Sequence, residues 1–182
     1  QSGIREMKIH NEAEEFISAD LVRALFTYVP TTGEFFNRLT TGTKAKQGEL
    51  AGYITDNNYV EVTILSRKYK AHRLAWLYTY GTFPAALLDH IDGDRLNNAL
   101  YNLREATATQ NLYNTPIRSD NTSGYKGVAL DRRCNKFRAY INIEGKQQSL
   151  GYYDTAEEAG SAYVSAAKEL HGEYFNENTT IR

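Results

Sequence analysis

The chain has a single cysteine, Cys134, so no intramolecular disulfide framework and no thiolate zinc cluster can hold it together. Proline is scarce, with 3 in 182 residues, and Met and Trp occur once each. No apolar run approaches the roughly 18 residues of a membrane span, and residues 1–15 are too polar for a signal peptide. These absences point to a protein working inside a cell and away from membranes. Net charge is nearly absent too, at −1, which for the whole chain argues against a nucleic-acid partner. What is present is ordinary for a globular protein: 41% apolar residues and 24% charged ones, enough for one medium or two small cores.

The near-zero charge is an average over opposed segments. Residues 35–73 carry a net +4 and residues 118–149 another +4. Residues 1–34 carry −3, residues 74–117 carry −2 and residues 150–182 carry −4. Counterion release depends on local cationic surface, so two basic stretches are compatible with duplex binding at two places.

Hydrophobic spacing divides the chain. Residues 1–17 read as a flexible acidic lead. Leu21, Leu25 and Tyr28 predict a helix over 18–28 behind a Ser18 or Asp20 cap. A turn at 30–33 leads to a strand at 34–39 and a mobile basic loop at 40–48. Residues 59–65 alternate as a strand, 66–68 connect, and Tyr69 starts the next strand. A helix follows over 71–80, closed by Gly81 and Pro84. A short strand at 86–91 runs into the turn Asp92-Gly93-Asp94; a second strand covers 103–106, and Thr107 caps a helix over 107–114. Residues 116–123, rich in Pro, Ser, Asp and Asn, read as a linker. Beyond it lie three strand patterns, 125–130, 136–143 and 147–153. A Thr155–Glu158 capping box then opens a helix over 156–170.

The densest chemistry lies between Leu88 and Asn111. A strand ending at Asp89-His90, a return strand and a helix carrying Asn111 can bring a carboxylate and an amide to one point. Hard oxygen donors of that kind suit Mg²⁺, with water and phosphate filling the remaining positions. A neutral imidazole beside them can deprotonate water. Tyr69 to Trp76, Asp89 to Asp94, Asn97-Asn98, Asn102 to Thr107 and Asn111 together resemble the HNH (His-Asn-His) endonucleases of phages and mobile introns, over about residues 30–115. The resemblance implies a ββα-metal nuclease of homing type. His90 would be its general base and Asn102 the asparagine that braces the loop and orients the base. Asp89 and Asn111 would be ligands of Mg²⁺ or Mn²⁺, with no structural zinc. Asn97 and Asn98 would be turn or bracing residues, and His72 would pack or position phosphate. His10 and His171 have no companions in the pattern.

Residues 119–176 resemble the plant ethylene-response-factor (APETALA-type) DNA-binding domain. The likeness rests on 123–128, Lys136 to Ala139, 150–153, Ala156 to Ala159, Ala162-Tyr163 and Gly172. It implies a three-stranded antiparallel sheet packed on one helix and lying in the major groove. By alternation Phe137, Ala139, Ile141 and Ile143 face the helix, while Arg138, Tyr140 and Asn142 face outward beside Lys126, Arg132, Arg133 and Gln147. Lys126, Ala129 and Ser149 depart from the plant pattern, so its sequence preference does not transfer. Lys68, Lys70 and Arg73 are the candidate phosphate contacts of the first basic stretch. The expected architecture is α+β: an HNH domain over 18–115, a linker over 116–123, a DNA-binding domain over 124–176 and a tail over 177–182. The expected partner is double-stranded DNA, met as a monomer or homodimer, in the host bacterial cytoplasm if the gene is a phage's. The alternative is a catalytically inactive DNA-binding regulator.

Overall fold

The computed structural model describes residues 16–43 and 45–181; His10 and most of the acidic lead lie outside them. The chain divides into two compact units, one running to His90 with Asp94–Glu105, the other formed by Ile91–Gly93 with Ala106 onward. The architecture mixes helices with several small sheets. Among the described residues no helix is long and apolar enough to cross a membrane.

In the first unit α1 (Ala19–Leu25) is capped by Ser18, whose hydroxyl accepts from Leu21 N at 3.2 Å. The helix expected to reach Tyr28 stops at Phe26, where φ −133° and ψ 155° turn the chain into β1 (Phe26–Val29). Aromatic and β-branched residues favour a pleated surface, and here Phe26 and Tyr28 are buried on one face while Thr27 is exposed. Strand β2 (Glu34–Asn37) pairs antiparallel with β1. The loop read as mobile is tied back: Gly48 N donates to Asn37 O at 2.7 Å, and Thr41 N to Ala45 O at 3.0 Å. Ile17, assigned to the flexible lead, is buried in the core instead.

Strands β3 (Tyr53–Ile54), β4 (Val60–Ile64) and β5 (Arg67–Lys70) form an antiparallel sheet in that order. The connection is Leu65-Ser66, with φ 49° and 64°, so β5 begins at Arg67 and not at Tyr69. Positive φ at both loop residues matches the twist of the strands, which explains the tight two-residue turn. Helix α2 (Ala71–Tyr80) ends on left-handed Gly81, as its spacing predicts. Phe35, Ile64, Leu74 and Val62 are almost wholly buried, and each such side chain stabilises the unit by about 1.5–3 kcal/mol. Strand β6 (Leu87–His90) pairs with β7 (Leu103–Ala106).

The hairpin β1–β2 also clamps the loop that precedes β7. Tyr28 Oη donates to Asn98 O at 2.8 Å, and Leu100 N donates to Pro30 O at 2.9 Å. Gly33, at φ +79°, lies directly against the Asn98–Ala99 backbone, where any Cβ would collide.

In the second unit α3 (Ala108–Tyr113) carries a full capping box from Thr107 and Gln110. Strands β8 (Val128–Asp131), β9 (Lys136–Ile143) and β10 (Lys146–Tyr153) make an antiparallel sheet with β9 in the centre. Helix α4 (Ala156–His171) opens on the Thr155–Glu158 capping box. Ala139 and Ile141 are buried in clusters with Ala159, Tyr163 and Ala167 of that helix. The register of β10 shifts between Ser149 and Gly151.

The stretch read as a linker is not a free tether. Lys126 Nζ donates to the carbonyls of Tyr113, at 2.9 Å, and Thr115, at 2.5 Å, and the Tyr113 ring stacks on His171 at 3.6 Å. These contacts place α3 with the C-terminal elements, which is why the unit boundary falls near residue 106 and not in 116–123.

Candidate active site

Neighbouring residues on a strand point to opposite faces, and the end of β6 uses this to separate two functions. Asp89 and His90 are both buried, at 5% exposure each. Asp89 meets Arg104 on β7, whose Nε and Nη2 donate to Asp89 Oδ2 at 2.9 and 2.7 Å. A doubly donated contact of this kind sets the orientation of the carboxylate. Arg104 was not among the expected site residues. Its one signal is that it is a cation inside an otherwise acidic segment, next but one to Asn102.

His90 meets a different set. Its Nε2 lies 3.2 Å from Asn98 Oδ1. The Asn98 amide is itself oriented, because its Nδ2 donates to Leu96 O at 3.1 Å. An amide oxygen can only accept, so in the neutral ring Nε2 carries the proton and Nδ1 the lone pair. The bracing role expected of Asn102 is therefore divided. Asn102 Nδ2 donates to Asn97 O at 2.8 Å and holds the loop, while Asn98, expected only as a turn residue, bonds the histidine. In sequence the two are a pair of buried asparagines four apart, and only the loop path tells them apart.

His72, in the first turn of α2, is buried, and its ring stands 5.0 Å from that of His90 at 81°. Burial pushes its pKa well below the usual histidine range, and His90, Lys70 and Arg73 push it the same way. It packs beside His90 as a neutral ring. Tyr59 completes this aromatic wall, 5.5 Å from His72 and 6.3 Å from His90 between ring centres.

Asp89, His90 and Asn102 are thus assembled in the first unit. Asn111 stands half-buried on α3, in the second. In the first unit the Asp89 carboxylate is a hard oxygen donor of the kind a divalent ion takes, and no group of three His, Cys, Asp or Glu occurs among the described residues. Such a set leaves most of the coordination sphere to water and phosphate, as Mg²⁺ prefers.

Of the expected DNA contacts, Lys68 is exposed with its ammonium 5.6 Å from the Tyr53 ring, and Lys70 sits 4.0 Å from the Tyr59 ring. The Arg73 guanidinium lies 5.7 Å from the Phe83 ring. In the second unit the strand alternation is as expected, with Ala139 and Ile141 buried and Asn142 exposed. Arg132 is exposed, Arg133 pairs with Asp131 at 2.9 Å, and Arg138 Nη2 donates to Gln147 Oε1 at 2.9 Å. Tyr140 and Asn142 line a cavity of about 870 Å³ together with Thr115 to Arg118 and Asp120 to Thr122.

Lys126 is the clear correction: it lies before β8 and its ammonium serves Tyr113 O and Thr115 O, not an outer face. His171, expected to be incidental, is buried against Tyr113 with Nε2 3.3 Å from Asn142 O. Burial lowers the Lys126 pKa to about 8. Unfolding then takes up a proton between pH 8 and the ordinary lysine value, so this lysine's contribution to stability grows as pH rises through that window. Lys126→Met is expected to cost about 1–3 kcal/mol by leaving two carbonyls unpaired. The melting gap between wild type and variant should be wider at pH 9.5 than at pH 7, and an equal gap would contradict the assignment.

A family model described as HNH endonuclease matches residues 69–113. Protein 3.8 of Escherichia phage T7 is 36% identical over 110 residues, which cover 58% of this chain and 90% of the phage protein. An uncharacterized HNH endonuclease of Acanthamoeba polyphaga mimivirus is 33% identical over 109 residues, 59% of this chain and 56% of the viral protein. A solved structure of DNA binding and cleavage by the HNH homing endonuclease I-HmuI is similar at 18% identity and a TM-score of 0.39, over 81% of this chain and 79% of that one. The matched residues end at 113, before the C-terminal sheet and helix. With the matched segment spanning α2, β6, β7 and α3, and with a phage relative covered over 90% of its length, the chain belongs to the HNH endonuclease family.

Proposed function

We propose that the protein is a Mg²⁺-dependent, site-specific endonuclease of homing type that hydrolyses phosphodiester bonds in duplex DNA. The observation that carries this reading is the His90 Nε2–Asn98 Oδ1 bond beside the Arg104-held Asp89, inside the segment that matches the family. Asn98 holds the Nε2 proton, so His90 Nδ1 takes the proton of the attacking water. A bound Mg²⁺ or Mn²⁺ with Asp89 as a ligand would stabilise the charge that develops on the phosphate and its 3′ leaving oxygen. Asn102 keeps the loop closed so that Asn98 stays in place. The DNA contacts of the second unit are assigned to Arg132, on the β8–β9 connection, and to Arg138, Tyr140, Asn142 and Gln147 of β9 and β10. Guanidinium and amide groups there suit guanine and adenine edges in a major groove. The Escherichia phage T7 relative supports action inside a host bacterium.

One observation favours the second reading, a DNA-binding regulator without cleavage: Arg104 competes with any cation for the Asp89 carboxylate. Incubation with long duplex DNA decides between them. The expected result is metal-dependent cleavage leaving 5′-phosphate and 3′-hydroxyl ends, abolished by a chelator. Tight binding with no cleavage in Mg²⁺ or Mn²⁺ would establish the regulator.

A further inference from the structure

The geometry points to a subsite formed by Lys70 and Arg95 on the ring of Tyr59, which holds a non-reacting phosphate of the duplex backbone next to the one cleaved at His90. The inference rests on the nuclease reading above. Lys70 Nζ lies 4.0 Å, and the Arg95 guanidinium 5.0 Å, from the centre of the same Tyr59 ring. That ring belongs to the wall around His90 and His72. Arg95 is also held from behind, its Nη1 donating to Asn57 O at 3.4 Å.

Two cations on one ring repel each other, and a folded protein ordinarily separates them or supplies a carboxylate between them. Here neither Lys70 nor Arg95 has an ion pair among the described residues. Glu61, the cross-strand neighbour of Lys70, makes no ion pair with it and accepts from Tyr53 Oη at 2.7 Å, so its charge offsets only part of the crowding. The crowding is felt: burial lowers the Lys70 pKa, and the charges of Arg95 and Arg73 lower it further against the pull of Glu61. Attraction to the Tyr59 face offsets part of the repulsion. An anion shared by both cations relieves the remainder. A backbone phosphate has the charge and the acceptor geometry for both an ammonium and a guanidinium. Because both cations sit on Tyr59 and not on His90, the phosphate they hold is displaced from the reacting one. Their contribution therefore belongs to binding and not to the chemical step.

The test uses the full chain. Binding of a fluorescent duplex is measured with chelator present across 50–200 mM salt, and cleavage kinetics are measured with Mg²⁺. Lys70→Gln and Arg95→Gln should each reduce the slope of log K against log salt by about 1, and the pair by about 2. Each should raise KM about tenfold, the loss expected for a charge-assisted contact, while kcat stays within about threefold. Lys70→Arg should keep the slope. Tyr59→Leu should lose it and Tyr59→Phe restore it, which a role confined to folding would not produce. An unchanged slope and KM in the singles overturns the subsite. So does a fall in kcat at constant KM, or a slope loss seen on duplex RNA but not on duplex DNA. If the double variant melts early, the single variants decide. If the wild type cleaves no duplex at all, the nuclease reading fails, and the salt slopes still decide whether these residues hold a phosphate.

Discussion

His90→Ala is expected to lower kcat for duplex cleavage by about 10²–10⁴, the contribution of a positioned general base, while DNA affinity changes little. The geometry makes the expectation specific. With Asn98 Oδ1 accepting at Nε2, a neutral ring carries its lone pair on Nδ1, the atom the proposed base uses. Asn98→Ala should then behave as a weaker copy of His90→Ala, lowering kcat by about 10-fold or more without a matching loss of binding, as removal of an orienting partner does elsewhere. Single-turnover cleavage with saturating enzyme separates these effects from binding. Equal activity in wild type and His90→Ala would remove His90 from the mechanism.

The largest expected effect on stability comes from Arg104. The Arg104 and Asp89 side chains are 13% and 6% exposed, and their contact is 2.7 Å. Replacing Arg104 with leucine leaves a buried carboxylate without its counter-charge, and such changes cost about 3–5 kcal/mol. Asp89→Asn with Arg104→Gln removes both charges and should cost much less. Calorimetric melting distinguishes the two variants. Added Mg²⁺ gives a second readout: a cation that takes the place of the guanidinium should raise the melting temperature of Arg104→Gln more than that of wild type. If Mg²⁺ moves neither melting curve, Asp89 is not a metal ligand and its role is the ion pair alone.

These two residues show how far the sequence is legible. Helix α2, the cap of α3, the capping box of α4 and the alternation along β9 are local patterns of spacing and capping chemistry, and all stand where those patterns put them. Asp89 and His90 are legible because they are adjacent and carry the motif. Their partners are not, since Arg104 and Asn98 are chosen by strand pairing and by the path of a loop. Phe26 to Tyr28 misled because aromatic spacing suits a helix until a partner strand, β2, offers a buried face. Lys126 misled for the opposite reason: it looked like surface charge, and two carbonyls far from any strand pattern capture it. His171 had no companion in sequence because its companion, Tyr113, is distant in the chain. Segregated charge marks the stretch that carries Lys70 but gives no sign that Arg95, from the acidic centre, meets it on the ring of Tyr59.

The clamp from the first hairpin sets a lower bound on what can be called the catalytic part. Tyr28, Pro30 and Gly33 lie well outside the matched residues 69–113, yet they hold the Asn98–Leu100 backbone, which carries the asparagine bonded to His90. A fragment trimmed to the matched segment would keep its histidine and lose the aim. Transplanting the motif to another scaffold means carrying a hairpin that contributes no reactive atom. Substitutions in that hairpin, far from any phosphate, would register as changes in turnover before they register as changes in shape.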